Sequence, residues 1–204
     1  MNSLIAILIA YLIGSVSFAV LVSRAFRLPD PRSYGSGNPG ATNVLRTGRK
    51  AAAALTLLGD ALKGWLAVFL VQQNVIGEPA TVAVAAVAVT LGHMYPLYHR
   101  FEGGKGVSTA LGVLLALDVW LAAGTLATWI IIVVFFRISS LAALVAAAFA
   151  PFFAFFLHGM GRVGLEPALG VAVIAVLLVW RHRTNIRNLI AGTEGKIGGG
   201  PSPG

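Results

Sequence analysis

Long apolar runs, each close to the length of a membrane crossing, constrain this chain more than any other feature. A spanning helix needs about 20 mostly apolar residues. Such runs occupy residues 3–22, 51–71, 80–96, 119–136, 139–157 and 165–180, separated by short polar breaks. With 57% hydrophobic and 11% charged residues, against about 25% charged in a soluble domain, a water-soluble core cannot hide this much apolar surface. The expected fold class is all-α, a polytopic membrane protein.

The stretch from Gly106 to Leu117 decides the number of crossings. Its 12 residues make about 18 Å of helix. Fused with the run that follows, it would form a helix of about 45 Å, which fits ~30 Å of hydrocarbon only at a tilt near 48°, outside the usual range. Two helices meeting at Asp118 fit better and give seven transmembrane helices. Charge supports the same count. With the N-terminus outside and the C-terminus cytoplasmic, 13 of the 15 basic residues lie in cytoplasmic segments, as the positive-inside rule requires. Only Arg162 falls outside, and Lys63 lies within a span. The first run has no basic residue before it, and Arg24, Arg27 and Arg32 follow it, so it reads as a retained anchor and not a cleaved signal.

The absence of cysteine excludes disulfides, thiolate metal sites and a thioester acyl-enzyme. The net charge of +8 does not point to nucleic acid, because the apolar runs leave little polar surface between the basic clusters. One membrane domain is expected over residues 1–197, with a disordered tail over 198–204, GGGPSPG.

Three polar stretches share the cytoplasmic face. In GSGNPGATNVLR, residues 35–46, Asn38 before Pro39 reads as an N-cap and first helical position. Asn43 and Arg46 then share a helix face, and Gly35, Ser36 and Gly37 form a turn able to hold an anion. In FEGGKGVST, residues 101–109, Gly103, Gly104, Lys105 and Gly106 precede a helix. Free N–H groups, the positive end of the dipole and an ammonium converge there, which suits a phosphate. It is not a Walker loop, since Gly106 follows the lysine. In WRHRTNIRNLIAGTE, residues 180–194, the three arginines read as orienting flanks, whereas His182 and Asn185 share a face and need another explanation. Asp60 and Lys63, three apart within a span, read as a self-neutralising structural pair. His93, beside Tyr95 and Pro96, reads as a packing or interface residue. Arg137 and Ser140 begin a span from the cytoplasmic side, within reach of the cluster.

Together these stretches offer cations and glycine turns for more than one phosphate, and Ser36, Asn38, Asn43 and Asn185 for hydroxyl groups. The apolar spans beneath can hold an acyl chain. The first stretch, the segment GHMYPLYHRFEGGKG over residues 92–106 and the WRHRTNI…GTE tail resemble the bacterial membrane acyltransferase family, PlsY-like, that moves an acyl group from acyl phosphate to glycerol 3-phosphate. The resemblance implies an enzyme of the bacterial cytoplasmic (inner) membrane that makes lysophosphatidic acid and phosphate in phospholipid synthesis. Its implied partners are acyl phosphate, glycerol 3-phosphate and the bilayer, with no cofactor, no metal and no partner subunit. The His-x-x-x-x-Asp signature of the other glycerol-phosphate acyltransferases is absent, since Tyr98, Gly104, Val163 and Arg187 stand five residues after the four histidines.

The resemblance implies catalytic roles for Ser36, Arg46, Lys105, His182 and Asn185. It implies substrate binding by Gly37, Asn38, Asn43, Gly103, Gly104, Gly106 and Ser140, and structural roles for Asp60, Lys63 and Glu194. An acyl phosphate is already an activated anhydride, so alignment, charge neutralisation and oxyanion stabilisation suffice. Direct transfer without an acyl-enzyme is expected, with Lys105 and Arg46 on phosphate and either His182 or a substrate phosphate as proton acceptor. A transporter of phosphorylated anions would need polar groups at mid-membrane, where this chain has only Asp60 and Lys63. A scaffold binding anionic lipid would explain the arginines but not His182, Asn185 and the Gly-Gly-Lys-Gly turn.

Overall fold

In the computed structural model, which describes residues 2–74 and 78–198, helices account for nearly all regular structure. They run α1 (Ser3–Gly14), α2 (Phe18–Ala25), α3 (Ala41–Leu45), α4 (Lys50–Asn74), α5 (Pro79–Met94), α6 (Val107–Leu117), α7 (Val119–Phe136), α8 (Ser139–Gly159), α9 (Leu165–Arg181) and α10 (Arg183–Ile190). A 3₁₀ turn, Leu97–His99, follows α5. Among the described residues five segments are long and apolar enough to cross a membrane, and a sixth forms if α9 and α10, bent by 59° at His182, count together. The chain is therefore an all-helical, multi-pass membrane protein.

The seven-crossing expectation meets its limit at α6, whose 11 residues make only about 16 Å. As expected, α6 and α7 are separate helices meeting at Asp118. The Asp118 side chain caps α7, accepting from Trp120 N (2.8 Å) and Leu121 N (3.0 Å). Arg162 pairs with the same carboxylate at 2.8 Å, which fixes this turn at the end of the bundle occupied by the α8–α9 connection. Because α7 has 18 residues and both helices start from Asp118, α6 ends its climb roughly 10 Å deeper than α7 does. The loop ahead of α6 therefore dips into the bundle.

Two sequence readings need correction. The first span is broken: α1 stops at Gly14, and α2 starts at Phe18 after a Ser17 cap. The break frees backbone groups that need partners in an apolar setting. Lys63 Nζ donates to Val16 O, and Ser15 Oγ accepts from Leu97 N at 3.2 Å. Secondly, the helix expected from Asn38 begins only at Ala41. An extended Gly40 (φ −154°) is its N-cap, with no side-chain bond from Asn38. Asn38 O instead accepts from Gly40 N (2.9 Å) in a tight turn that leaves Pro39 buried.

Small residues set the closest packing, as is usual where lipid supplies no hydrophobic drive between helices. Gly112 lies against the Ala61 carbonyl and Gly64 against that of Thr109, joining α4 to α6; Gly14 and Gly92 do the same for α1 and α5. The main core, which includes Val68, Val89, Met94 and Val113, ends beneath the polar loops.

Candidate active site

The three polar stretches meet at one end of the bundle around a cleft of about 110 Å³. Ser36, Asn38, Asn43 and Arg46 come from the first stretch, Lys105 and Gly106 from the second, His182, Asn185 and Glu194 from the third, and Ser140 from the start of α8. Asp60 and His93 form part of its lining. Gly37, Gly103 and Gly104 shape the surrounding turns without lining the cleft.

Backbone geometry explains the glycines that matter most. Gly35 (φ +59°) and Gly37 (φ +64°) take left-handed conformations around Ser36. The Arg46 guanidinium lies over Gly35. Asn43 is buried and fully engaged: its Oδ1 accepts from Ser36 N (3.1 Å), while Nδ2 donates to Pro31 O (2.7 Å) and Tyr34 O (3.2 Å). Its polar atoms thus hold the loop that presents Ser36. Gly106 (φ +88°) turns the chain into α6. Gly104 sits flush against the His93 ring, and the Pro39 carbonyl lies close by.

A chain of hydrogen bonds crosses the cleft. Lys105 Nζ donates to Asn185 Oδ1 (2.6 Å), Asn185 Nδ2 donates to Glu194 Oε1 (2.6 Å), and Ser140 Oγ donates to the same oxygen (2.6 Å). Lys105 is thereby aimed across the opening. Burial lowers its pKa below the ordinary lysine value; Glu194 opposes this, while Arg181 and Arg46 push the same way. An anion bound here would raise that pKa again.

His182 lies just past the end of the last span and is buried. Its Nδ1 donates to Leu178 O at 2.7 Å, which leaves Nε2 as the ring's lone-pair nitrogen. Burial pushes its pKa down to about 4, with Lys105 and Arg181 acting in the same direction. The free ring is therefore neutral at pH 7.

Three residues stand elsewhere than expected or carry more than expected. Arg137 does not line the cleft. Its Nη2 donates to Ile197 O (3.2 Å) and its carbonyl accepts from Ile197 N (2.7 Å), so it straps the C-terminal segment in place. Arg181, read from sequence as an orienting flank, donates to Gly103 O (2.7 Å) and to Gly104 O (3.0 and 3.2 Å), with its guanidinium 5.1 Å from the Tyr95 ring centroid. It holds the Gly103–Lys105 loop from outside. His93, read as a packing or interface residue, is buried with its Nδ1 3.5 Å from Asp60 Oδ1 and 3.1 Å from Thr109 Oγ1. The signal for both was order in the chain: each belongs to a stretch already singled out. Arg181→Ala should weaken binding of a phosphate-bearing ligand in the cleft about tenfold, since one charge-assisted anchor is worth about 1.5–3 kcal/mol. Arg181→Lys should recover only part of this, because a single ammonium cannot span both carbonyls. Titration of each variant with such a ligand checks both.

Asp60 and Lys63 form the expected pair, with Nζ to Oδ1 at 2.9 Å and both side chains about 3% exposed. Among the described residues no cluster of His, Asp and Glu is arranged to hold a metal ion.

An apolar cavity of about 110 Å³ adjoins the polar cleft, enclosed by α6, α7, α8 and α9, with Leu57 of α4. Val107, Ser108 and Ala143 line both. Such an arrangement defines a multi-pass membrane protein whose cation-bearing polar cleft opens beside an apolar groove.

The chain belongs to the glycerol-3-phosphate acyltransferase family, whose model matches residues 4–192, and is a membrane acyltransferase. It is 62% identical over 194 residues to the glycerol-3-phosphate acyltransferase of Ralstonia pickettii, covering 94% of this chain and 92% of that one. With the protein of the same name from Burkholderia pseudomallei strain K96243 it shares 61% over 198 residues, 97% of each chain. The fold also superimposes on the crystal structure of PlsY, an integral membrane glycerol 3-phosphate acyltransferase, in its glycerol 3-phosphate form. The TM-score is 0.87 at 34% identity, covering 95% of this chain and 94% of that one. The lysophosphatidic acid form of PlsY gives 0.86 at the same identity and coverage.

Proposed function

We propose that the chain transfers a fatty acyl group directly from acyl phosphate to glycerol 3-phosphate, giving lysophosphatidic acid and inorganic phosphate. The observation that carries this reading is the junction of the polar cleft with the apolar groove at Val107, Ser108 and Ala143. Lining residues run from Val107 to Leu114 on α6, from Ala143 to Ala150 on α8 and from Leu178 to Val171 on α9. Each stretch is eight residues, a rise of about 10 Å along the helix, so the groove takes the first part of an acyl chain and leaves the rest to the bilayer. The carbonyl then sits at the junction, beside the phosphate groups held in the cleft.

The roles follow from charge and geometry. Lys105 and Arg46 neutralise phosphate, assisted by the N–H group of Gly106 at the start of α6. Ser36 and Asn185 hydrogen-bond the glycerol backbone or the developing oxyanion. Gly37, Asn38, Asn43 and Gly103 shape the loops that carry these groups. Glu194 orients Asn185 and Ser140, while Asp60 and Lys63 secure the bundle beneath. His182 presents Nε2 as a hydrogen-bond acceptor for a hydroxyl. Its low proton affinity in the free enzyme disfavours it as the general base.

The same reading takes α6 as a short seventh crossing beneath the re-entrant loop, with the N-terminus outside and the cleft on the cytoplasmic side of the inner membrane. Residues 1–197 act as one domain and as a monomer. Residues 199–204, most of the expected disordered tail, lie outside the described residues; Gly198 is exposed.

A donor comparison tests the proposal. Purified protein given labelled glycerol 3-phosphate should make lysophosphatidic acid from palmitoyl phosphate and none from palmitoyl-CoA. Equal rates from both would remove the acyl-phosphate reading.

A further inference from the structure

The C-terminal segment is fastened to the turn between α7 and α8 in a regular pattern. Ile197 N donates to Arg137 O (2.7 Å), and Arg137 Nη2 donates to Ile197 O (3.2 Å). Three positions after Arg137, Ser140 Oγ donates to Glu194 Oε1 (2.6 Å), and Glu194 stands three positions before Ile197. The segment therefore runs antiparallel to residues 137–140 and is tied to them at both ends. Glu194 and Gly195 form part of the cleft wall, and the Arg46 guanidinium lies beside Gly195.

Burial does little to hold this wall in place. Gly195, Lys196 and Gly198 are exposed and Ile197 is half-buried, and a chain end of that kind frays unless it is tied down. If the segment lifts, Glu194 leaves with it. Asn185 Nδ2 then loses its acceptor, and the amide that receives Lys105 Nζ is no longer oriented. Arg137 also has an uncommon backbone. It ends α7 at φ +59°, with its N–H donating to Val133 O. Glycine is the usual occupant of that position, because a Cβ strains left-handed backbone. What the arginine adds there is its guanidinium bond to Ile197 O.

We propose that Arg137 is a positioning residue for acyl transfer: by clasping Ile197 it holds Glu194 where that carboxylate orients Asn185 and, through it, Lys105. The inference rests on the acyl-phosphate reading above. Arg137 touches no substrate in this account. Its charge lies outside the cleft, and its effect reaches the phosphate through three successive side chains, Glu194, Asn185 and Lys105.

The test begins with wild-type turnover of palmitoyl phosphate and glycerol 3-phosphate; its absence would overturn the acyl-phosphate reading, whereas the variants that follow address the clasp. Arg137→Gly suits the left-handed backbone and removes only the side chain. It should lower kcat about tenfold, less than the loss from displacing a positioned group outright, with thermal unfolding near the wild-type temperature. Wild-type kcat, or a loss of kcat matched by a clear fall in unfolding temperature, would overturn the proposal. Since Arg137 acts through Glu194, Arg137→Gly should cost nothing further in a Glu194→Ala background. A tenfold loss that persists there would overturn it. Ile197→Pro attacks the clasp from the other side by removing the N–H that Arg137 O accepts, and it keeps the proposal testable if Glu194→Ala fails to fold. It should reproduce the fall in kcat, and wild-type kinetics in this variant would overturn the clasp.

Discussion

Lys105→Met is expected to lower kcat/KM for glycerol 3-phosphate by about 10³-fold, the upper range for removing one preorganised charge donor from a water-poor site. Methionine keeps the length and apolar stem of the lysine, so the substitution isolates the ammonium. That ammonium is the only side-chain cation of the Gly103–Gly106 loop, and Asn185 already aims it across the cleft at 2.6 Å. Its loss removes a charge that strengthens as the leaving phosphate gains negative charge, so kcat should fall together with kcat/KM. Lys105→Arg should recover little, because the larger planar group cannot occupy the same place beside Asn185. Kinetics over a glycerol 3-phosphate series checks this, and a loss under tenfold would mean that Lys105 is only a surface cation.

Gly104→Ala is expected to cost about 10²-fold, the loss that a shift of about 1 Å in a positioned group can bring. The alanine Cβ would overlap His93 Nε2 and come to 2.9 Å of Pro39 O. Neither neighbour yields easily: His93 is held by Thr109 and Asp60, and Pro39 belongs to the tight turn before α3. The loop itself must move, carrying Lys105 with it. Gly159→Ala, where nothing lies within 4 Å of an added Cβ, is the matched control and should behave as wild type. Comparing activity with thermal unfolding separates displacement of the loop from loss of the fold.

How much of this was legible in the sequence follows from the range of each interaction. The spans and the break at Asp118 were readable because apolar length and a capping carboxylate are local signals. Which polar stretches gather at one end followed from counting crossings and placing charge. The broken first span was not legible: Gly14, Ser15 and Ser17 are compatible with an unbroken span, and the partner that satisfies Val16 O is Lys63, 47 positions away. For the same reason Asp60 and Lys63 looked self-contained, since a spacing of three reveals the pair but not its neighbours at the α1–α2 break and on α5. The helix placed from Asn38 failed because Asn-Pro chemistry is ambiguous between a cap and a turn. The Asn38–Gly40 hydrogen bond decides for the turn. Arg181 looked like any flanking arginine because only folding brings it to Gly103 and Gly104.

The most direct test of the account is a single-turnover experiment with enzyme in excess over palmitoyl phosphate. It follows phosphate release and the intact mass of the protein, with and without glycerol 3-phosphate. Direct transfer predicts no phosphate burst and no acylated protein without the acceptor. With it, phosphate and lysophosphatidic acid should appear together in equal amounts. A stoichiometric phosphate burst without acceptor, accompanied by a palmitoyl adduct on Ser36, would contradict the account.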